Sequence, residues 1–184
     1  GADVPRQRRA ILIDAFRQTL GELGAYEYVA EVPVLRTLKD RMLYALVYAT
    51  RHAQGIEVFR DCHVKTERAQ AEVRTVAKHA DKVAKSGQPE LFGAEVPVRP
   101  SEIEAFLAAE RDAARAALIA MAPVEPESAL YKELWPKILA RHAVRRTELN
   151  QIAAELRKAN VLSFPGWEAG KRVPADNYRL SKRA

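Results

Sequence analysis

A segment near the carboxyl end of the chain carries side chains of the types that bind nucleic acid. The segment 146–159 places Thr147 and Gln151 opposite an apolar stripe, with Asn150 at the flank of that polar face. Asn and Gln amides form paired hydrogen bonds with adenine, and Arg forms them with guanine. We therefore predict that Asn150 and Gln151 read base edges of a bound duplex.

Basic side chains border the same face and continue into the next loop. Arg146, Arg157 and Lys158 lie at the rim of the helical segment, and Lys171 and Arg172 follow in a loop. Phosphate contacts from such residues fix the orientation of a protein on DNA without reading its sequence. The predicted nucleic-acid contacts are thus Arg146, Thr147, Asn150, Gln151, Arg157, Lys158, Lys171 and Arg172.

The positive charge of the chain is concentrated in the same segment. The formal net charge is +6, and residues 141–184 supply ten Lys or Arg against four Asp or Glu, whereas residues 100–140 carry four against seven. A basic surface confined to one segment is typical of polyanion-binding elements, because neutralised phosphates release counterions. A solvated basic face on a protein-docking module is the alternative.

The elements that position these residues are predicted to form a winged helix-turn-helix over 101–184. The predicted helices are 101–121, 127–141 and 146–159, and the predicted strands are 161–164 and 177–181. Ser101 and Glu104 form a capping-box pattern that opens the first helix, and Pro136 should kink or split the second. The third helix owes its amphipathic character to Leu149, Ile152, Ala153 and Leu156. Three helices followed by a basic hairpin is the winged-helix plan.

The amino-terminal part combines a helix, two strands and a long helix. The predicted ranges are 8–23, Tyr28–Leu35, Met42–Thr50 and 55–86. Pro33 marks the first strand as an edge strand, a bulge or two shorter pieces. The second strand, MLYALVYAT, is apolar on both faces, which predicts burial inside a sheet rather than in a solvated hairpin. The chain as a whole is predicted to be α+β and mainly helical.

The long helix carries a narrow stripe in which spacings of four and three residues alternate. Its members are Phe59, Cys62, Thr66, Ala69, Val73, Val76, Ala80 and Val83. Such a stripe packs within the chain or makes a homodimer, and the sequence leaves both open. The proline-rich stretch 88–100 then ends the helix, which predicts a linker between a domain at 1–87 and a domain at 101–184.

The linker also contains a short peptide with a possible partner. Gln88, Leu91 and Phe92, within QPELF, resemble the Q-x-x-L-F peptide that partners of the bacterial sliding clamp insert into a hydrophobic pocket. Leu91 and Phe92 more often tether a linker to its own domain, and that interpretation is favoured.

Motifs for catalysis and metal binding are missing from the sequence. His52, His63, His79 and His142 form neither an i, i+4 pair nor a cluster with cysteine, so no metal and no cofactor is expected in this chain. No G-x-S-x-G or phosphate-binding glycine loop occurs. The single cysteine, Cys62, reads as a core residue and suits a reducing cytoplasm. Apolar runs such as 42–50 are too short to span a membrane, and no secretory leader pattern opens the sequence.

Four stretches of the sequence resemble the three-Cys-motif partner proteins. They are LYALVYATRHAQGIEVFRDC at 43–62, ELWPKILARH at 133–142, AAELRKANVLSFPGW at 153–167 and KRVPADNYRL at 171–180. The resemblance implies a Rossmann-type methyltransferase domain followed by a winged-helix domain. The strands Tyr28–Leu35 and Met42–Thr50 would then be the closing strands of the methyltransferase sheet, which explains a strand with two apolar faces.

The departure from the family pattern limits what the resemblance implies. The glycine-rich turn and acidic ribose ligand that bind a methyl donor would lie upstream of residue 1, and no G-x-G occurs in the sequence. The three-cysteine motif belongs to the partner protein of such a family. The predicted function is therefore a duplex-DNA-binding module, with two alternatives: the non-catalytic part of a methyltransferase-like enzyme, and a docking scaffold for a protein partner.

Overall fold

A computed structural model describes residues 3–38, 41–86 and 102–183, with backbone only for 3–10 and 86. The described chain is α+β and mainly helical, as predicted, with two small sheets. In order, its elements are α1 (Asp3–Gly24), β1 (Tyr28–Leu35), β2 (Met42–Thr50), α2 (Ala53–Ser86), α3 (Glu102–Met121), β3 (Ala129–Leu130), α4 (Tyr131–Arg141), α5 (Arg146–Lys158), β4 (Leu162–Ser163) and β5 (Arg179–Lys182).

The first sheet is an antiparallel hairpin of β1 and β2, with the bounds that the sequence predicts. Tyr28 pairs with Thr50 at one end, and the register shifts between Val34 and Leu35 near the other. The Arg17 side chain on α1 donates a hydrogen bond of 3.3 Å to the Val29 carbonyl. The shift skips Leu43 of β2, so the extra residue lies on the partner strand. Among the described residues β1 pairs with β2 alone, so Pro33 lies in an edge strand, one of the three outcomes expected for a proline in a strand.

The prediction that β2 is buried inside a sheet is wrong for the part of the chain described. β2 pairs with β1 alone, and Leu43, Tyr44 and Leu46 are about half exposed, at 54%, 55% and 48%. Tyr48 stacks on Phe59 of α2 with ring centroids 4.5 Å apart, which covers the end of the strand. A hairpin leaves its outer edge unpaired, so apolar residues away from this contact face solvent.

The stripe predicted along α2 also faces outward over most of its length. Cys62, which the sequence placed in the core, is exposed, and Val73 and Val76 are 62% and 59% exposed. The side that α2 buries instead carries Ile56, Arg60, His63 and Val64. The apolar spacing did not predict this side of the helix, because two of its four residues, Arg60 and His63, are polar. Inside the protein they form hydrogen bonds to each other, and Arg60 also donates to nearby carbonyls.

Helices α3, α4 and α5 pack around a common core. Leu149, Ile152, Ala153 and Leu156 of α5 are buried, which confirms the predicted stripe. Helix α4 begins at Tyr131 rather than at 127, and Pro136 lies inside it without splitting it. A proline there forfeits one intrahelical hydrogen bond, and both Trp135 and Pro136 are buried.

A three-stranded antiparallel sheet closes the carboxyl-terminal part, in the order β3-β5-β4. Its strands β4 and β5 confirm the predicted hairpin, although both are shorter than expected. Leu162 pairs with Lys182, and Ala129 with Leu180. The two-residue strand β3 was not predicted, since so short a strand leaves no periodicity to detect.

The parts on either side of the predicted linker share one core. Tyr28, Ala30 and Ile56 belong to the same buried cluster as Tyr131 and Leu134 of α4. The linker 88–100 lies outside the described residues. Among the helices that are described, none has the length and apolar character needed to cross a membrane.

Candidate nucleic-acid interface

Helix α5 owes its position and rotation to residues at both ends and along one side. The Arg145 backbone N–H donates a 2.9 Å hydrogen bond to the Glu148 carboxylate, which satisfies one of the free donors at the start of the helix. Asn160, at φ 57°, ends the helix in the left-handed conformation that Asn tolerates. Because the apolar stripe faces inward, the opposite side, with Thr147, Gln151 and Lys158, is exposed to solvent.

Four of the predicted phosphate contacts meet at one cleft between α5 and the loop that joins β4 to β5. Arg157 and Lys158 come from the last turn of the helix, and Lys171 and Arg172 come from the loop. With Ala154 and Trp167 they line an open cleft of about 380 Å³, which we call the basic cleft. Like charges gathered in a concave surface raise the local concentration of anions.

Trp167 organises the basic cleft, a role that the sequence did not reveal. The Arg157 guanidinium lies over the Trp167 ring, 4.5 Å from its centroid. The indole Nε1 donates a 3.0 Å hydrogen bond to the Lys171 carbonyl. The ring also contacts Phe164 and Tyr178, at centroid distances of 5.3 and 5.6 Å. Trp167 therefore fixes the basic loop to the sheet on one side and to α5 on the other.

The loop bends sharply on both sides of Trp167. Gly166 and Gly170 have φ values of 85° and 81°, where a side chain would be strained. Glu168 lies 3.9 Å from the Lys171 ammonium, and both side chains are more than half exposed. An exposed pair at this separation is weak, so Lys171 is available to an external anion.

Arg146 takes a different place from that of the other predicted phosphate contacts. Its guanidinium pairs with Glu57 of α2, at 2.9 Å, and with Asp176 before β5. It also lies over the Trp135 ring, 4.2 Å from the centroid. Two carboxylates thus compensate its charge, and the side chain is largely buried. These partners are far away in sequence, which is why spacing on the helix could not identify them.

The amides on α5 are engaged to different degrees. The Tyr131 hydroxyl donates a 2.8 Å hydrogen bond to Asn150 Oδ1. Gln151 donates to Glu155 at 3.2 Å on the exposed surface. Glu155 in turn accepts a hydrogen bond from Arg115 of α3, which lowers the pKa of its carboxyl group. The exposed face of α5 therefore carries one ionised carboxylate beside its amides.

Two further predictions, a clamp-binding peptide and the absence of a metal site, concern residues outside the basic cleft. Gln88, Leu91 and Phe92, the possible clamp-binding peptide, lie outside the described residues. The residues that are described contain no group of three His, Cys, Asp or Glu side chains arranged to hold a metal ion.

Comparison with protein-family models, curated proteins and solved structures finds no match to the chain. The resemblance to the three-Cys-motif partner proteins therefore stays a prediction.

Proposed function

We propose that the segment from α3 to β5 is a winged helix-turn-helix that binds duplex DNA. The order helix, strand, helix, helix, strand, loop, strand supports this assignment, as does the antiparallel sheet β3-β5-β4 behind the helices. In a helix-turn-helix the second helix of the motif enters the major groove. Here that helix is α5, and the loop 164–178 is the wing beside it.

The observation that carries the proposal is the basic cleft. Arg157, Lys158, Lys171 and Arg172 converge there from two elements, and none of the described residues that line it is acidic. A DNA phosphate in the cleft would contact the helix and the wing together, because it would lie where the two meet. Contacts of this kind release counterions and are the main sequence-independent source of affinity.

The remaining residues on α5 divide into exposed readers and internal supports. Thr147 and Gln151 are exposed on the face opposite the core, which supports a role in contacting base edges. Arg146 orients the first turn of α5 through Glu57 and Asp176. Its role in binding is therefore indirect, through the angle at which α5 leaves the protein.

The experiment that tests this function is a salt-dependent titration. Fluorescence anisotropy would compare duplex DNA, single-stranded DNA and duplex RNA for the wild type and for Lys158→Ala/Lys171→Ala. Two lost phosphate contacts should lower the slope of log Kd against log salt by about 2. The matched control is Lys65→Ala/Lys82→Ala, which makes the same charge change on exposed residues of α2.

Two results would contradict the proposal. One is the absence of binding to any of the three nucleic acids at low salt, which would favour docking to a protein partner. The other is an equal loss of affinity in the control variant, which would assign binding to net charge rather than to the basic cleft.

A second candidate is favoured by the open hairpin. The outer edge of β2 is unpaired among the described residues, and its apolar side chains are half exposed. This is the condition expected of a strand taken from a larger sheet, such as the closing strands of a methyltransferase-like domain. The test is the encoded reading frame: a strand, a G-x-G turn and a helix upstream would support this candidate, and an unrelated upstream sequence would contradict it.

A further inference from the structure

Asn150 is held by a fixed hydrogen-bond donor. Tyr131, at the first position of α4, is fully buried, and its hydroxyl lies 2.8 Å from Asn150 Oδ1. Its backbone N–H donates to the Tyr178 carbonyl at 2.8 Å, and its ring meets Phe164 edge-on at 6.3 Å. These two contacts hold the Tyr131 side chain in place, with its hydroxyl at Asn150.

The chemistry of the hydroxyl determines which end of the amide it meets. Burial raises the pKa of Tyr131, so the hydroxyl keeps its proton and must donate it. Within the described residues Asn150 is its only recorded hydrogen-bond partner. If the amide were rotated by half a turn, the hydroxyl would face an N–H group and its own proton would have no acceptor, which is costly inside a protein. The amide oxygen therefore faces inward.

The amide nitrogen of Asn150 is consequently the outward group. Among the described residues Nδ2 has no hydrogen-bond partner, and solvent reaches it. Asn150 precedes Ala154 by four residues and Arg157 by seven, a spacing that aligns the three on one side of a helix. Because Ala154 and Arg157 line the basic cleft, the Asn150 N–H groups extend it toward the start of α5.

We infer that Asn150 acts on DNA as a hydrogen-bond donor, and that Tyr131 sets this polarity. The inference rests on the proposed duplex-binding function. Its ligand is a hydrogen-bond acceptor: a backbone phosphate oxygen or the O6 and N7 edge of guanine. Recognition of adenine requires the amide oxygen to accept from N6 while the nitrogen donates to N7. An inward oxygen prevents that pairing, which replaces the adenine contact expected from the sequence.

The test is selection from duplexes of about two helical turns with a randomised centre, followed by anisotropy titration of the selected sequences. Asn150→Leu removes the amide at similar size. Tyr131→Phe removes only the hydroxyl and frees the amide to turn. Thermal unfolding of each variant checks that it is folded, because Asn150→Leu leaves the buried Tyr131 hydroxyl without its acceptor. If either single variant is unstable, the double variant Tyr131→Phe/Asn150→Leu removes the amide without leaving an unpaired hydroxyl.

The expected result is that Asn150→Leu weakens duplex binding about 2- to 10-fold, with no adenine preference lost. Equal weakening for all sequences identifies a phosphate as the acceptor, whereas the loss of a guanine preference identifies the base. Tyr131→Phe should admit adenine where the wild type does not. An adenine preference that disappears in Asn150→Leu, or wild-type affinity in that variant, overturns the inference alone. Failure of the wild type to bind any duplex overturns the proposed function, and the inference with it.

Discussion

Leu149 and Leu46 lie in two regions of the molecule that bury apolar side chains to different extents. Leu149, in the helical part of α3 to α5, is fully buried, whereas Leu46, in the hairpin of β1 and β2, is 48% exposed. Both belong to apolar patterns that the sequence makes obvious. In the helical part, neighbouring helices cover the apolar residues. The apolar residues of the hairpin stay partly exposed.

The difference shows that an apolar pattern predicts which residues need burial but does not predict which element buries them. Helix α5 has 13 residues and buries a narrow stripe, which α3 and α4 are able to cover. A strand with two apolar faces and an open edge needs a neighbour on three sides. In the described chain β2 is paired along one edge and contacts α1 and α2, the latter through Tyr48. Among the described residues, the hairpin is therefore the less fully covered of the two regions.

The largest expected effect compares these two leucines directly. Leu149→Ala should lower the free energy of unfolding by about 3 kcal/mol, because it removes a buried side chain and leaves a cavity. Leu46→Ala should lower it by less than about 1 kcal/mol, since much of that side chain is already in water. Urea unfolding measures both. An equal loss for Leu46→Ala would show that β2 is covered in solution.

The next effect tests the contact between α2 and the helical part of α3 to α5. Arg60 of α2 is 2% exposed and donates to the Leu139 and Ala140 carbonyls at the end of α4, at 2.6 and 3.0 Å. Burial lowers its pKa to about 10, so it stays charged at neutral pH. Arg60→Met would leave those carbonyls without donors and should cost about 2 kcal/mol.

The control for Arg60 is an exposed cation on the same helix. Lys65 pairs with Asp61 at 2.6 Å in solvent, so Lys65→Met should change stability by less than about 0.5 kcal/mol. If Arg60→Met were neutral in urea unfolding, the cost of burying the guanidinium would balance its hydrogen bonds. Helix α2 and the helical part would then be held together by apolar packing.

A smaller effect is expected from acid. The neighbouring His142 side chain, and after it the Ala143 backbone N–H, hold the pKa of Glu110 below its usual range although the group is partly buried. A carboxyl whose pKa is lowered by folding stabilises the protein above the unfolded pKa and loses that effect as pH falls through the folded pKa. Glu110→Gln should therefore cost about 1 kcal/mol at neutral pH.

The sign of this prediction is checked by unfolding at several pH values. The difference between wild type and Glu110→Gln should shrink as pH falls below about 4, because the wild-type carboxyl then becomes neutral too. A difference that stays constant down to low pH would show that Glu110 acts through its shape and not through its charge.

The smallest expected effect distinguishes a residue that stabilises the basic cleft from a residue that only binds DNA there. Arg157→Gln removes the guanidinium over Trp167 and should cost about 0.5 kcal/mol of stability. Lys158→Gln, at the exposed neighbouring residue, should leave stability unchanged. Both should weaken duplex binding by a similar factor, because each removes one charge from the basic cleft. Thermal unfolding and anisotropy together would contradict this if Lys158→Gln were the destabilising change.

Local patterns predicted most of the elements because their causes are local. The bounds of β1 and β2 agree with the prediction, and α5 begins at Arg146 as expected. Arg157 and Lys158 lie on one helical turn, and Lys171 and Arg172 are adjacent in the loop, so each pair has a local cause. Folding brings the two pairs together in the basic cleft. The buried side of α2 was misread, because Arg60 and His63 are buried through partners that no spacing rule detects.

The sequence by itself determined the helices, the two hairpins, the buried stripe of α5 and the basic character of its surroundings. These depend on residue spacing and on charge along short segments. The tertiary structure alone decided that Arg146 binds Glu57 and Asp176, that Trp167 supports the cleft, and that Tyr131 turns the Asn150 oxygen inward. Side-chain polarity and charge compensation depend on partners distant in sequence, and only folding brings those partners within hydrogen-bonding distance.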